Sequence, residues 1–388
     1  MSDDLSFSAG MPLFAECADY SPEAVRSALE DILARTSLLD KIKPGMTIGI
    51  KLNLCTARKP EAAATTHPVP AAELTRILTE RGAKVILGDS PGEPFTTAML
   101  NFVYNQTGMH LCENAGGELN SDFTHEAVPF PEGVSVKSFE YCSWLQKCDM
   151  IISFSKLKAH GLMGMTAAVK NLYGVIPGTM KSEYHFMHRE PQDFADMLLD
   201  LNEYVRPALC LCDAVDIMEG NGPTAGTPRH LGLMLGGTNP YELDRLCAAI
   251  LGLSEDEIPY LTAAKRRGLL PEAGADEARA RVENCVVKDF VRSGATCNWF
   301  VPNEEDAAVR KVLKKLIYVL LRSKPQSGEG CTGCGHCVRG CPADAIEIKN
   351  GRAVIDRRKC VRCFCCQEFC PTGAMKVKRS AVARLVSK

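Results

Sequence analysis

The sequence predicts an α/β fold, a mostly parallel sheet with helices on both faces, followed by a small α+β segment at the C-terminus. Three observations predict it. Short β-rich runs alternate with amphipathic helical stretches from Pro22 to Leu251, the pattern of a parallel sheet covered on both faces. Polar motifs follow those runs, and ligands of open α/β sheets bind outside the carboxyl ends of the strands. The density of cysteine changes abruptly, nine of the 19 lying between Cys331 and Cys370.

Taken in order, Pro22 to Arg35 carries an apolar helical period, and Thr47 to Leu54 is a β-rich run introduced by Pro44-Gly45. Pro70 to Arg81 is amphipathic and ends at Gly82, after which Lys84 to Leu87 reads as a strand. Further strands are expected at Met150 to Phe154, Ala208 to Cys212 and Leu231 to Leu235, with helices at Phe95 to Gln106, Gln192 to Tyr204 and Tyr241 to Leu251. The polar motifs are Lys51 and Asn53, Asp89 to Gly92, Lys156 to His160, Asp213 to Gly226, and Gly236 to Asn239. Each ends a predicted strand, so all five are expected at one crevice.

The chain has 388 residues, 46% hydrophobic and 24% charged, which suits two or three globular domains. No stretch approaches the run of about 18 apolar residues that a membrane-spanning helix needs. Asp3 and Asp4 stand where a secretory signal would carry basic residues, and cysteines in a long chain without a signal point to a reducing compartment and to metal. A cytoplasmic protein is expected. From Pro325 to Lys388 there are 12 Lys and Arg against 5 Asp and Glu, net +7; the whole chain is −2, which leaves −9 on the rest. Two oxidised clusters with their thiolates would bring that segment to roughly +3, still complementary to an acidic body or an acidic partner.

Cys331, Cys334, Cys337 and Cys341 before Pro342 form a Cys-x2-Cys-x2-Cys-x3-Cys-Pro run, and Cys360, Cys363, Cys366 and Cys370 before Pro371 repeat it. Three cysteines at this spacing wrap one 4Fe-4S cubane, while the fourth points to the other cluster. The ligand sets therefore cross: Cys331, Cys334, Cys337 and Cys370 for one cluster, Cys360, Cys363, Cys366 and Cys341 for the second. Zinc knuckles also use Cys-x2-Cys, but four cysteines in eleven residues, closed by proline and repeated, suit zinc poorly. Cys365 is expected to pack as a small apolar residue, and His336 to be a solvated loop residue. Ala345 to Ile348 and Ala374 to Val377 alternate as short strands do. The segment resembles bacterial two-cluster ferredoxins over about 50 residues, including the Cys-Pro-Ala-Asp-Ala-Ile and Cys-Pro-Thr-Gly-Ala-Met endings.

In the body, Gly88-Asp89-Ser90-Pro91-Gly92 reads as a turn, Glu219 to Gly226 as a glycine-rich loop and Lys156-Leu157-Lys158-Ala159-His160, taken alone, as a solvated loop. Lys170, His185 and His188 follow and Thr65-Thr66-His67-Pro68 precedes, a candidate cationic lining for a phosphate or carboxylate. Asp89, Asp213, Glu219 and Asp244 supply hard oxygens for a divalent ion, or ion-pair with the lysines. No phosphate loop, zinc helix or nucleophile turn is present. Leu313 to Arg322 forms a basic amphipathic stretch, read as a connector onto the acidic body ahead of a membrane-surface helix. The expected division is 1–305 for the body, 306–324 for the connector and 325–388 for the cluster domain.

With those residues in place, the body resembles an uncharacterised domain-of-unknown-function family, number 362, often fused to ferredoxin modules. The resemblance spans roughly residues 45–250, through Lys51-x-Asn53, Thr66-His67-Pro68, Gly88 to Gly92, Lys156 to His160, Lys170-Asn171-Leu172-Tyr173-Gly174 and Glu219 to Pro223. It implies a family and no reaction.

The expectation is an iron–sulfur oxidoreductase that passes electrons through two 4Fe-4S clusters to or from a small anionic molecule in the body's crevice. Lys158, His160 and Lys170 are the candidate catalytic residues, and Lys51, His67, Asp89, Lys156 and Glu219 the candidate substrate-binding ones. A redox partner protein or a small-molecule substrate is expected, nucleic acid and a transmembrane segment are not, and the oligomeric state is not legible. Two other readings stay open: a pure electron carrier docking to another redox protein, and a binding protein with structural or sensing clusters.

Overall fold

The computed structural model describes residues 12–293 and 323–378. The expected connector helix lies almost wholly outside the described residues. Strand β1 (Leu13–Glu16) precedes helix α1 (Pro22–Arg35), whose residues Val25, Ala28, Leu29, Ile32 and Leu33 recur at the helical period and are buried. There follow β2 (Thr47–Lys51), α2 (Pro68–Thr79), β3 (Lys84–Gly88), α3 (Thr97–Thr107), α4 (Leu111–Asn114) and β4 (Glu118–Leu119). A separate hairpin, β5 (His125–Pro129) with β6 (Ser138–Cys142), leads through α5 (Ser143–Gln146) to β7 (Met150–His160) and β8 (Gly164–Thr166). The body continues through α6 (Ala168–Asn171), α7 (Met180–Met187), α8 (Pro191–Val205), β9 (Leu209–Glu219), β10 (Thr227–Gly237), α9 (Pro240–Ile250), α10 (Pro259–Arg266) and α11 (Ala275–Arg281).

The main sheet has eight strands in the order β1-β10-β9-β7-β2-β3-β4, with β8 paired to β7. Strands β4, β3, β2, β7 and β9 run parallel; β10, β1 and β8 are antiparallel to their neighbours. Alternation along β9 sends Leu209 and Leu211 to one face of the sheet and Cys210 and Cys212 to the other, each into its own apolar core. Each fully buried Leu, Ile or Phe in these two layers contributes about 1.5–3 kcal/mol.

Two local expectations are corrected. Lys156 to His160 is strand, not loop: β7 runs six residues past Phe154. Leu157 and Ala159 are fully buried between the polar residues, a period of two that continues the strand. Gly236 to Asn239 does not join the other motifs. Only seven residues connect β9 to β10, too few for a parallel crossover of about a dozen, so β10 returns antiparallel and carries this motif to the opposite end of the sheet. There Asn239 caps α9, accepting from the backbone N–H groups of Tyr241 and Glu242.

The C-terminal module holds two small antiparallel pairs, β11 (Lys324–Ser327) with β14 (Met375–Lys378), and β12 (Ile346–Lys349) with β13 (Arg352–Ile355). Short helices at His336–Arg339 and Cys365–Glu368 complete it around Cys337, Ile346, Ala353, Cys366 and Met375.

Candidate active site

A cavity of about 60 Å³ opens at the carboxyl ends of the parallel strands. Asn53 and Cys55 follow β2, Asp89, Ser90 and Gly92 follow β3, and Lys158 and His160 end β7. Thr166, Lys170, Asn171, Tyr173, Gly174, Lys181 and His185 come from the β8–α7 region, and Pro223 and Thr224 from the β9–β10 loop. Glu368 and Phe369 of the cluster module form the remaining wall.

Most of the lysines here are held by the protein itself. Lys51 pairs with Asp89 at 2.6 Å and donates to the carbonyls of Leu52 and Asn171 at 2.6 and 3.0 Å. Asp89 in turn accepts from the N–H groups of Leu54 and Ser90. A side chain at position 174 would collide with both members of this ion pair, which explains Gly174. Lys158 donates to Asn53 Oδ1 at 2.8 Å and to the Ala64 carbonyl, with Cys55 Sγ at 3.2 Å. Lys181 donates to the carbonyls of Ser90, Pro91 and Ile176 and to Ser90 Oγ, and burial lowers it to about 8.

Lys170 differs. Its ammonium lies 4.3 Å from the Tyr173 ring centroid and 5.6 Å from that of Phe194, with no hydrogen-bond acceptor among the described residues. Burial pushes its pKa down. Nearby, His185 stacks on Phe194 at 4.2 Å, and neither ring nitrogen has a hydrogen-bond partner among the described residues; burial takes it to about 3, which keeps it neutral. The Thr166 hydroxyl is likewise buried without a partner among the described residues.

His160 is set up as a donor. Its Nδ1 accepts from the backbone N–H groups of Leu162 and Met163 at 3.1 and 3.2 Å. In a neutral ring the proton is therefore on Nε2, which stands 3.2 Å from Glu368 Oε1. Burial lowers His160 against the opposing pull of that carboxylate. Burial alone would raise Glu368, but His160 beside it and the charge of Lys170 bring it below the usual carboxylate range.

The module is seated by specific contacts. Gln367 donates to Asn221 Oδ1 at 2.7 Å and to the Gly222 carbonyl at 3.1 Å, Thr224 Oγ1 donates to the Glu368 carbonyl at 3.4 Å, and Arg58 to the Cys370 carbonyl at 3.4 Å. The glycine-rich loop is thus a docking surface for the module as well as a cavity wall. Phe369 lies against Gly92, where an added Cβ would stand 2.5 Å from its ring, and against Gly340 of its own module.

Of the eight body residues singled out from sequence, Asp89, Lys158, His160 and Lys170 line this cavity and Lys51 stands directly behind Asp89. Lys156 and His67 belong to a separate cluster. Lys156 faces Asp213 across the β7–β9 register and pairs with it at 2.9 Å, while Tyr20 donates to the same carboxylate and stacks on His67 at 3.6 Å. His67 caps α2, its Nδ1 accepting from the N–H of Val69. Glu219 lies outside the cavity, held by Arg229 and the N–H of Val291. The expected set of hard oxygens does not gather: Asp213 pairs with Lys156, and Asp244 accepts from the N–H groups of Ala168 and Val169 at the start of α6. Among the described residues no three of His, Cys, Asp and Glu are placed to share one metal ion.

Sequence reading missed Glu368, Phe369, Thr166 and Lys181 as site residues. A glutamate inside a cysteine run was the available signal for the first; nothing local marks the others.

The thiols of the module surround space for larger groups. One small cavity is lined by Cys331, Cys334, Cys337 and Cys370, combining three cysteines of the first run with the last of the second. Thiols of Cys363, Cys360, Cys337 and Cys341 crowd Cys366, whose pKa rises first by burial and then by their proximity. Backbone N–H groups of Ala353 and Ala345 donate to Cys331 and Cys341 Sγ at 3.4 and 3.3 Å, the kind of donor that stabilises cluster thiolates. The donor set fits iron–sulfur clusters. Cys365 is buried beside Cys363, and Cys334 is exposed.

Comparison with known proteins follows the same division. A family described as domain of unknown function (DUF362) matches residues 48–249, and a 4Fe-4S dicluster domain matches residues 325–371. The thylakoid-associated protein sll1697 of Synechocystis is 31% identical over 238 residues, 60% of this chain and 71% of that protein. A ferredoxin-like protein in the nif region of Sinorhizobium fredii is 52% identical over 33 residues, 8% of this chain and 52% of that protein. Among solved structures, a Thermotoga maritima protein aligns with a TM-score of 0.37 at 13% identity, over 66% of this chain and 61% of its own. The lactate racemase apoprotein of Thermoanaerobacterium thermosaccharolyticum aligns with a TM-score of 0.38 at 14% identity, over 62% and 57%. The chain spans less than two thirds of either structure, and neither likeness bears on chemistry. Among the described residues no helix is long and apolar enough to cross a membrane.

Proposed function

The chain belongs to the DUF362 family and carries a 4Fe-4S electron-transfer module, and from that premise we propose that it is a redox enzyme whose two clusters exchange electrons with a small molecule bound in the body's cavity. One observation carries this reading: Glu368 and Phe369, lodged between the ligand candidates Cys366 and Cys370, are themselves walls of the cavity. A pure carrier has no need of a buried polar cavity beside its clusters.

In this reading Cys331, Cys334, Cys337 and Cys370 hold one cluster and Cys360, Cys363, Cys366 and Cys341 the other, and such clusters supply single electrons at potentials set by their surroundings. The residues of the chain do the rest. Lys158, its donors spent on Asn53 and Ala64, positions the β2 end of the cavity. His160 presents the Nε2 proton beside Glu368 and is the group placed to protonate a bound molecule. Phe369 and Pro223 limit entry of water. Exposed Cys334 marks the side from which an electron-carrier protein would reach the outer cluster. Eighteen unpaired cysteines among the described residues support a reducing compartment, and the cytoplasm is the proposed location.

The test is anaerobic reconstitution, iron analysis and a metabolite screen for reoxidation of the reduced clusters. About eight irons per chain are expected, with at least one metabolite that drains the clusters. His160→Asn keeps an acceptor for the Leu162 and Met163 N–H groups but loses the Nε2 proton, and should slow that reaction. Eight irons with no responding metabolite would instead favour the carrier reading.

A further inference from the structure

The cavity walls carry polar groups that the protein leaves unused. Among the described residues, Lys170, 8% exposed, has no hydrogen-bond acceptor, His185, 2% exposed, has both ring nitrogens unpartnered, and the Thr166 hydroxyl, 2% exposed, is also unpartnered. All three line the same cavity. Glu368 Oε1, on the same cavity, is also buried without a hydrogen-bond partner among the described residues. Buried polar groups are hydrogen-bonded as a rule, so three donor groups left over on one cavity, facing a single unpartnered carboxylate oxygen, point to a ligand.

Their chemistry says which kind. An ammonium, a hydroxyl and a neutral imidazole can each donate a hydrogen bond. Glu368 lies beside His160 and makes no ion pair with Lys170 within 4.0 Å. Among the cavity side chains, Lys158, Lys170 and Lys181, with Lys51 behind Asp89, face two carboxylates, Asp89 and Glu368, and of the four lysines Lys170 has no hydrogen-bond or ion-pair acceptor among the described residues. Size sets a limit as well: one water occupies about 10–15 Å³ of such a volume, so 60 Å³ holds roughly four to six small groups.

We propose that Thr166, Lys170 and His185 bind a small oxyanion, a carboxylate or an inorganic oxyanion of about four to six non-hydrogen atoms. The inference rests on the redox reading, since the same molecule would exchange electrons with the clusters.

The experiment uses the intact, cluster-loaded protein under anaerobic conditions. Acetate, pyruvate and oxalate form one arm, bicarbonate and sulfite a second, acetamide and methylammonium the controls. Calorimetry reads binding, and a redox titration reads the cluster potentials with and without anion. At least one oxyanion is expected to bind once per chain, to lower the potential of a cluster by adding negative charge near it, and to bind at least tenfold more weakly to Lys170→Met. Thr166→Val, nearly isosteric, should weaken binding severalfold and guards against misfolding of the lysine variant. Whichever arm contains the ligand identifies its source. The proposal is overturned if no oxyanion binds, if acetamide binds equally well, or if binding is unchanged in both variants. An oxyanion that binds through Lys170 but never reoxidises the reduced clusters would defeat the redox reading and leave the site standing. A neutral metabolite that drains the clusters independently of Lys170 would do the reverse.

Discussion

Gly92→Ala isolates the seating of the cluster module on the body. Gly92 is outside the left-handed region, so alanine suits its backbone, and the effect is steric. An added Cβ would stand 2.5 Å from Phe369 Cε1 and 3.0 Å from Cδ1, and the ring would have to retreat by about 1 Å to restore ordinary carbon contact. Gly340 lies against the ring's other edge and blocks that retreat. Such overpacking costs about 1–3 kcal/mol, equivalent to roughly a 5- to 150-fold shift toward the undocked module. Hydrogen exchange of the amides from Cys365 to Cys370 in the cluster-loaded protein measures it, and protection should fall by that factor. Phe369→Leu, smaller at the contact, should recover part of the loss in the double variant, giving a coupling energy of about 1 kcal/mol. Protection in Gly92→Ala within about 0.5 kcal/mol of the parent, the limit of additivity error, would refute the docking contact.

Two further outcomes are expected. Cys370→Ala should lower iron from about eight to about four atoms per chain, and adding Cys334→Ala should remove little more, because crossed ligand sets place both residues on one cluster. Loss of nearly all iron in the double variant would show uncrossed sets. His185 is neutral in the fold at about 3 and near 6.5 when unfolded. Its lowered value means the burden on stability is absent above pH 6.5 and grows as pH falls. Between about pH 7.5 and pH 5 the parent should therefore lose about 2 kcal/mol relative to His185→Gln. Urea unfolding at both pH values reads the difference, and a constant difference would show that His185 is not buried neutral.

The fold class and the cysteine motifs were legible in the sequence because both are local. Periodicity identified α1 over its full length and placed the starts of β2, β3 and β7, and each cysteine run gathers its ligands within eleven residues. The body site was legible in part. Asp89, Lys158, His160 and Lys170 were found because they end strands or follow them closely, whereas Lys156, two residues from Lys158, pairs with Asp213 directly across the strands, and the β7–β9 register shifts before Lys158. That shift has no signature in composition. Nor does the meeting of Glu368 with His160 across 208 residues, since it depends on how the module sits against the Asn221–Thr224 loop. Local spacing determined which groups hold iron. Only tertiary packing decided that a wall of the ligand loop would also be a wall of the cavity, because surface complementarity between distant segments is not written in either one.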